Sequence, residues 1–223
     1  MKTLIRTIKD SSIGKRVFND PLFRVLIISG GSMGWNLIYS VFNGIMSLAY
    51  NSFWFLTLCV YYAILGIMRL VVVAPLKRRN GNKWSESSVM RGLGVGMIAL
   101  SIVVSGMVCL VISQKQNPKY NTIVMIAIAA YTFYLITMSV INTVRAQRKR
   151  NATLIMLRNI TLAGTIVAVL SLERAMLGTF GNAEDSFTMI TESATGGFSF
   201  VLIIAIGVGM IIQAGRLTDE RSN

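Results

Sequence analysis

The sequence predicts an all-α integral membrane protein with six transmembrane helices and both termini cytoplasmic. Three observations predict it. Of 223 residues, 53% are hydrophobic and only 14% are charged, against about 25% charged in an ordinary soluble domain. The charges are clumped, and between the clumps lie long uncharged apolar stretches of the roughly 20 residues that a helix needs to cross the hydrocarbon. The basic residues, finally, alternate in number from one connecting segment to the next.

Residues 1–20 form a basic lead-in. Leu4, Ile5, Ile8 and Ile13 are interleaved with Lys2, Arg6, Lys9, Lys15 and Arg16, which fits either a short interfacial helix on anionic headgroups or a solvated tail. No small-x-small cleavage site ends the apolar stretch that follows, so no cleavable signal peptide is expected. Asp20-Pro21 starts the first span. Aspartate accepts from the free N–H groups of a first helical turn, and proline fits there because its missing N–H has no partner to lose. That span is expected over about Leu22 to Ser47, with an uncharged turn at residues 48–52. The second runs from about Phe53 to Ala74, stopped by Pro75, and a basic loop occupies residues 76–91. The third covers about Gly92 to Ile112, with Pro118 in the loop behind it. The fourth covers about Tyr120 to Val144 and ends on the basic run 145–150. The fifth covers about Ala152 to Leu177, and the sixth about Ile190 to Ala214. The domain organisation is thus a basic segment (1–20), a six-helix membrane domain (21–214) and a cytoplasmic tail (215–223).

Charge sets the orientation. The net charge is +13, from 22 Lys+Arg and 9 Asp+Glu. Six of the basic residues lie at the N-terminus through Arg24, five flank the third span, four follow the fourth and two lie in the tail. The loops expected on the other side carry none, two and none, and Arg69, Arg158 and Arg174 lie within spans. Basic residues collect on the cytoplasmic side of membrane proteins, so the bias explains the positive charge without nucleic acid. At an offset of 70 residues, Tyr61, Leu65, Met68 and Arg78 match Tyr131, Leu135, Met138 and Arg148. Three parallel hairpins are therefore conceivable.

Polar residues inside lipid are costly, so they face other helices or water. On the first span Ser32, Asn36, Tyr39, Ser40 and Asn43 share one helical face. They fit either a polar pathway or hydrogen bonding between helices. On the fourth, Tyr131, Tyr134, Met138 and Asn142 share a face. Tyr62, Gly66 and Arg69 do so on the second, where Arg69 is close enough to the span end to snorkel. The fifth carries Arg158 and Asn159 near its start, and Glu173 and Arg174 near its end. Glu192, Thr195 and Ser199 share a face of the sixth. An ion pair between Arg174 and Glu192 is expected, with Glu173 and Glu192 either an outward cation or proton site or charges closing the outer loop. The pathway candidates are Asn36, Asn43, Tyr131, Tyr134, Asn142, Arg158, Asn159, Glu173 and Glu192.

Catalysis is not expected. The chain has no histidine, no phosphate loop and no nucleophile elbow. No catalytic residue, metal ligand or cofactor is assigned. Cys59 and Cys109 read as buried small hydrophobes rather than a disulfide framework. Glycines in the first, third and sixth spans read as helix-packing surfaces.

The run Tyr131-Thr132-Phe133-Tyr134 with the basic cluster behind it, Arg158-Asn159-Ile160 followed by Ser171-Leu172, and Tyr61-Tyr62 with Arg69 resemble a pattern in small multipass bacterial membrane proteins. The resemblance covers most of the membrane part. It implies a multi-pass protein of a bacterial cytoplasmic (plasma) membrane and transfers no functional residue. The expected function is transport or channel-like permeation of a small solute or ion. The alternative is a non-transporting scaffold, immunity or accessory subunit of a larger complex. Expected partners are the lipid bilayer with its anionic headgroups, and either a second copy or another membrane protein, but not nucleic acid.

Overall fold

The computed structural model describes residues 21–77, 85–113, 121–149, 151–180 and 186–222. Among them every regular element is an α-helix: α1 (Pro21–Tyr50), α2 (Phe53–Lys77), α3 (Glu86–Ser113), α4 (Thr122–Lys149), α5 (Ala152–Phe180) and α6 (Ser186–Ser222). Five of them, α2 to α6, are long and apolar enough to cross a membrane. The chain is a helical membrane protein. The basic lead-in 1–20 lies outside the described residues.

Local chemistry accounts for the helix ends. α1 starts at Pro21, as expected. It ends at Tyr50, and the next residue, Asn51, has a left-handed φ of 45°, a conformation asparagine tolerates better than most residues. The Ser52 N–H then donates to the Ser47 carbonyl at 3.1 Å, a Schellman closure that satisfies an orphan carbonyl. Asn121 and Asn151 cap α4 and α5. Their Oδ1 atoms accept from the Ile123 and Thr153 N–H groups at 3.3 and 2.9 Å, as N-cap side chains do.

Several helices outrun the apolar stretches that announce them. α2 passes Pro75 by two residues, α3 starts six residues before Gly92, and α4 continues through the basic run to Lys149. α6 extends through the expected tail to Ser222. Hydropathy marks where lipid stops; a helix stops only where its backbone groups find other partners.

The helices pair as α1 with α2, α4 with α5, and α3 with α6, while α5 also touches α2, α3 and α6. The three-hairpin arrangement suggested by the repeat is therefore not formed, because α3 packs on α6 and not on α4. Glycine explains the α3–α6 pair. A Cβ on Gly94 would lie 2.8 Å from the Gly207 carbonyl oxygen, and one on Gly207 would lie 2.9 Å from that of Gly94. Only two glycines let these backbones come so close. The Ser87 hydroxyl ties the same pair at one end, donating to the Ala214 carbonyl at 2.8 Å.

α5 is the central helix. Tyr61 and Tyr62 of α2 donate to its Ala163 and Gly164 carbonyls at 3.0 and 3.2 Å. Thr132 of α4 donates to the Ala168 carbonyl at 3.2 Å. The outward surface is apolar, with Ile38, Val41, Val95, Ile102, Ile126, Phe133 and Val201 exposed. In lipid such residues need no cover, and helix association rests on close packing and hydrogen bonds. Cys59 is half-buried and Cys109 exposed, and neither is in a disulfide. The expectation that both are buried fails for Cys109, which sits on the outward face of α3.

Candidate functional site

α1 and α4 are not among the closely packed helix pairs, yet long side chains bridge them. The rings of Tyr39 and Tyr131 stack with centroids 3.5 Å apart and planes 12° from parallel. Tyr62 of α2 meets both edge-on, at 4.9 and 5.4 Å. Trp35 packs on Tyr134 at 5.4 Å. The Tyr131 hydroxyl donates to Asn36 Oδ1 at 3.1 Å. The gap between α1 and α4 is thus bridged by aromatic rings rather than by backbone contact, and together with the facing sides of α2 and α5 these rings form one seam.

The α1 stripe faces this seam. Asn36, Tyr39, Ser40 and Asn43 are all buried; the side chain of Ser32 lies outside the described residues. Asn43 Nδ2 donates to the Tyr39 carbonyl at 2.7 Å, within its own helix. Ser40 turns to α2 and donates to the Cys59 carbonyl at 2.8 Å. Asn36 Nδ2 and Asn43 Oδ1 are buried with no hydrogen-bond partner, and Tyr39 Oη has the neighbouring Asn43 side chain beside it. Such groups are uncommon in folded proteins and call for an explanation.

Two turns along α2 from Tyr62 the seam ends in a second cluster. Arg69 is 2% exposed. Its Nη2 donates to Thr161 Oγ1 at 3.1 Å, and its Nε has no partner. Asn142 Nδ2 donates to the same Thr161 oxygen at 3.1 Å. The phenols of Tyr131 and Tyr134 are within electrostatic range of the guanidinium. Snorkelling was the expectation for Arg69; instead the side chain turns inward, held by a hydroxyl on α5. One turn further along α5, the half-buried Arg158 donates from Nε and Nη2 to Asn159 Oδ1 at 3.3 and 3.2 Å.

The remaining candidates lie elsewhere. Glu173 is 15 residues from Arg158 on α5, about 22 Å along the axis. It lines a small cavity of about 10 Å³ with Trp54, Val108, Leu170, Arg174 and Glu192, room for roughly one water. Arg174 and Glu192 feel each other's charge without a hydrogen bond between them. Arg174 Nε and Nη1 and Glu192 Oε1 are buried and unpartnered. The guanidinium lies over the Trp54 ring, 4.4 Å from its centroid, a cation–π contact in place of the expected ion pair. A wider groove of about 240 Å³ runs between α5 and α6 from Leu162 to Glu173 and is lined mainly by apolar side chains.

The structure therefore brings Asn36, Asn43, Tyr131, Tyr134 and Asn142 to one seam, leaves Arg158 and Asn159 bonded to each other on α5, and sets Glu173 and Glu192 apart. It adds Thr161, Tyr62 and Arg69 to the seam. The shared face of Tyr62, Gly66 and Arg69 is the signal that carried two of these; nothing in the sequence singles out Thr161. No protein-family model matches this chain, and no match is found among curated proteins or solved structures.

Proposed function

We propose that this is a six-span protein of a cytoplasmic membrane, with both termini inside, that lets a small solute or ion permeate along the seam between α1, α2, α4 and α5. The sixth crossing is α1. It has 30 residues, about 45 Å of helix, and the two-residue turn at Asn51-Ser52 sends it back along α2. If α2 crosses the bilayer, α1 crosses it in the opposite direction. Its exposed Trp35, Ile38, Val41 and Ile45 then face lipid.

The observation that carries the reading is the run of buried polar atoms with open valences: Asn43 Oδ1, Asn36 Nδ2 and Arg69 Nε. A seam that served packing alone gains nothing from leaving them unpaired. A polar species passing along it satisfies them in turn. Stacked ring faces separate more readily than the backbone contact of α3 with α6, which suits a path that opens. Reconstitution into liposomes tests this. Flux of small solutes or ions should exceed that of protein-free vesicles, and Asn36→Leu should reduce it while the protein still elutes as one species. Absence of flux for every solute tried rejects the reading.

A second reading, an accessory subunit, has one feature in its favour. Gly30, Gly31 and Gly34 on α1 have open space where a Cβ would stand, the room a neighbouring helix uses. A stoichiometric partner retained in mild detergent, together with absent flux, would establish it.

A further inference from the structure

Arg69 presents an imbalance that the seam alone does not resolve. The group is 2% exposed inside a span, and a guanidinium does not give up its proton in proteins. Buried charges are paired, because an isolated one in a low-dielectric interior is heavily penalised. Among the described residues no carboxylate pairs with Arg69. The nearest acid on α5, Glu173, is 12 residues from Thr161, about 18 Å along the helix.

The surroundings are also short of acceptors. Thr161 Oγ1 receives Arg69 Nη2 and Asn142 Nδ2, both at 3.1 Å, and passes its own proton to the Leu157 carbonyl at 2.8 Å. That hydroxyl is saturated: two lone pairs and one proton are all it has. Arg69 Nε stays open. Asn142 brings a further amide N–H to the same point. Arg158 stands one turn away, its guanidinium shared only with its neighbour Asn159. Fixed positive charge and an open donor meet here, with the neutral phenols of Tyr131 and Tyr134 as the other groups in range, and a negative acceptor answers both the charge and the open N–H.

We propose that the Arg69–Asn142–Thr161 cluster binds a small anion and that the species permeating along the seam is anionic. The proposal rests on the permeation reading and adds the class of permeant. Arg69 supplies the charge, Asn142 supplies a neutral donor, and Thr161 holds both in place. Arg158 marks the route toward the basic run 145–150 that precedes α5. A cation meets repulsion at this point, and a neutral solute leaves the charge unanswered.

The experiment uses the full chain in liposomes under gradients of sodium chloride, sodium nitrate or sodium phosphate, with glycerol as the neutral probe. The reversal potential should follow the anion gradient. Arg69→Gln should lower anion flux about ten-fold or more, and Arg69→Lys should keep anion over cation selectivity. Asn142→Asp is the decisive variant because it places a carboxylate beside Arg69. It should fold at least as well as the parent, since it pairs the buried charge, yet lose anion flux about ten-fold because the site is already occupied. A reversal potential that follows sodium, or flux of glycerol alone, overturns the anion assignment and leaves permeation standing. Anion flux unchanged in Asn142→Asp likewise overturns it. Absence of any flux removes the permeation reading, and this one with it. If Arg69→Gln fails to fold, Arg69→Lys and Asn142→Asp decide between these outcomes.

Discussion

At the scale of the residue, two side chains show how much a single group decides. Tyr131 holds the seam through one hydroxyl, its 3.1 Å bond to Asn36. Tyr131→Phe keeps the ring stack and removes that bond. Hydrogen bonds between membrane helices contribute about 0.6 to 2 kcal/mol, so thermal unfolding in detergent should register a loss of about 1 kcal/mol. Tyr61→Phe removes the bond to the Ala163 carbonyl at a similar cost. The two should part in liposomes, where Tyr131→Phe changes flux and Tyr61→Phe leaves it as it was. Asn51 makes a different point, since its value lies in a backbone conformation. At a φ of 45°, alanine meets the left-handed penalty of about 1 kcal/mol and glycine does not. Asn51→Ala should therefore lower the unfolding midpoint, while Asn51→Gly should leave it within error.

At the scale of the element, the pairing of helices follows from which surfaces are small enough to meet. α3 and α6 join where Gly94 and Gly207 let two backbones touch. A methyl group on Gly207 would lie 2.9 Å from the Gly94 carbonyl oxygen and 3.0 Å from Ile98 Cγ1. Overpacking of this kind costs about 1 to 3 kcal/mol. Two residues along α6, Gly209 has open space at its Cβ position. Gly207→Ala should therefore destabilise the fold measurably, and Gly209→Ala should not, by the same unfolding measurement. The acidic end of α5 illustrates a further rule for charges on helices. Arg174 is closer in sequence to Glu173 than to any other acid, but neighbours in sequence point away from each other on a helix. The aromatic face of Trp54 takes the guanidinium instead.

At the scale of the whole molecule, the architecture was largely legible and its assembly was not. Apolar length located the helices, and Asp20-Pro21 marked the start of α1 with a mechanism, whereas the caps at Asn121 and Asn151 show only in the structure. The spacing of Asn36 and Asn43 placed them on the face that the structure buries. The pairing of helices was hidden, because small residues show that a close approach occurs and not which helix makes it. The burial of Arg69 was hidden for a related reason: distance to a span end is visible in the sequence, whereas the waiting hydroxyl of Thr161, 92 residues away, is not. Topology itself is testable. In a Cys59→Ser, Cys109→Ser background, Asn51→Cys and Asn121→Cys should react with an impermeant thiol reagent from outside. Ser85→Cys and Asn151→Cys should react only from inside. The same labelling at all four positions would dissolve the alternation on which the orientation rests. The glycine contact between α3 and α6 has one more consequence. It gives the bundle a stiff spine on one flank, while the opposite flank is joined by flat rings that slide. If lateral tension deforms the bundle, Gly94 and Gly207 should hold α3 to α6 while α1 and α4, joined by side chains alone, part first.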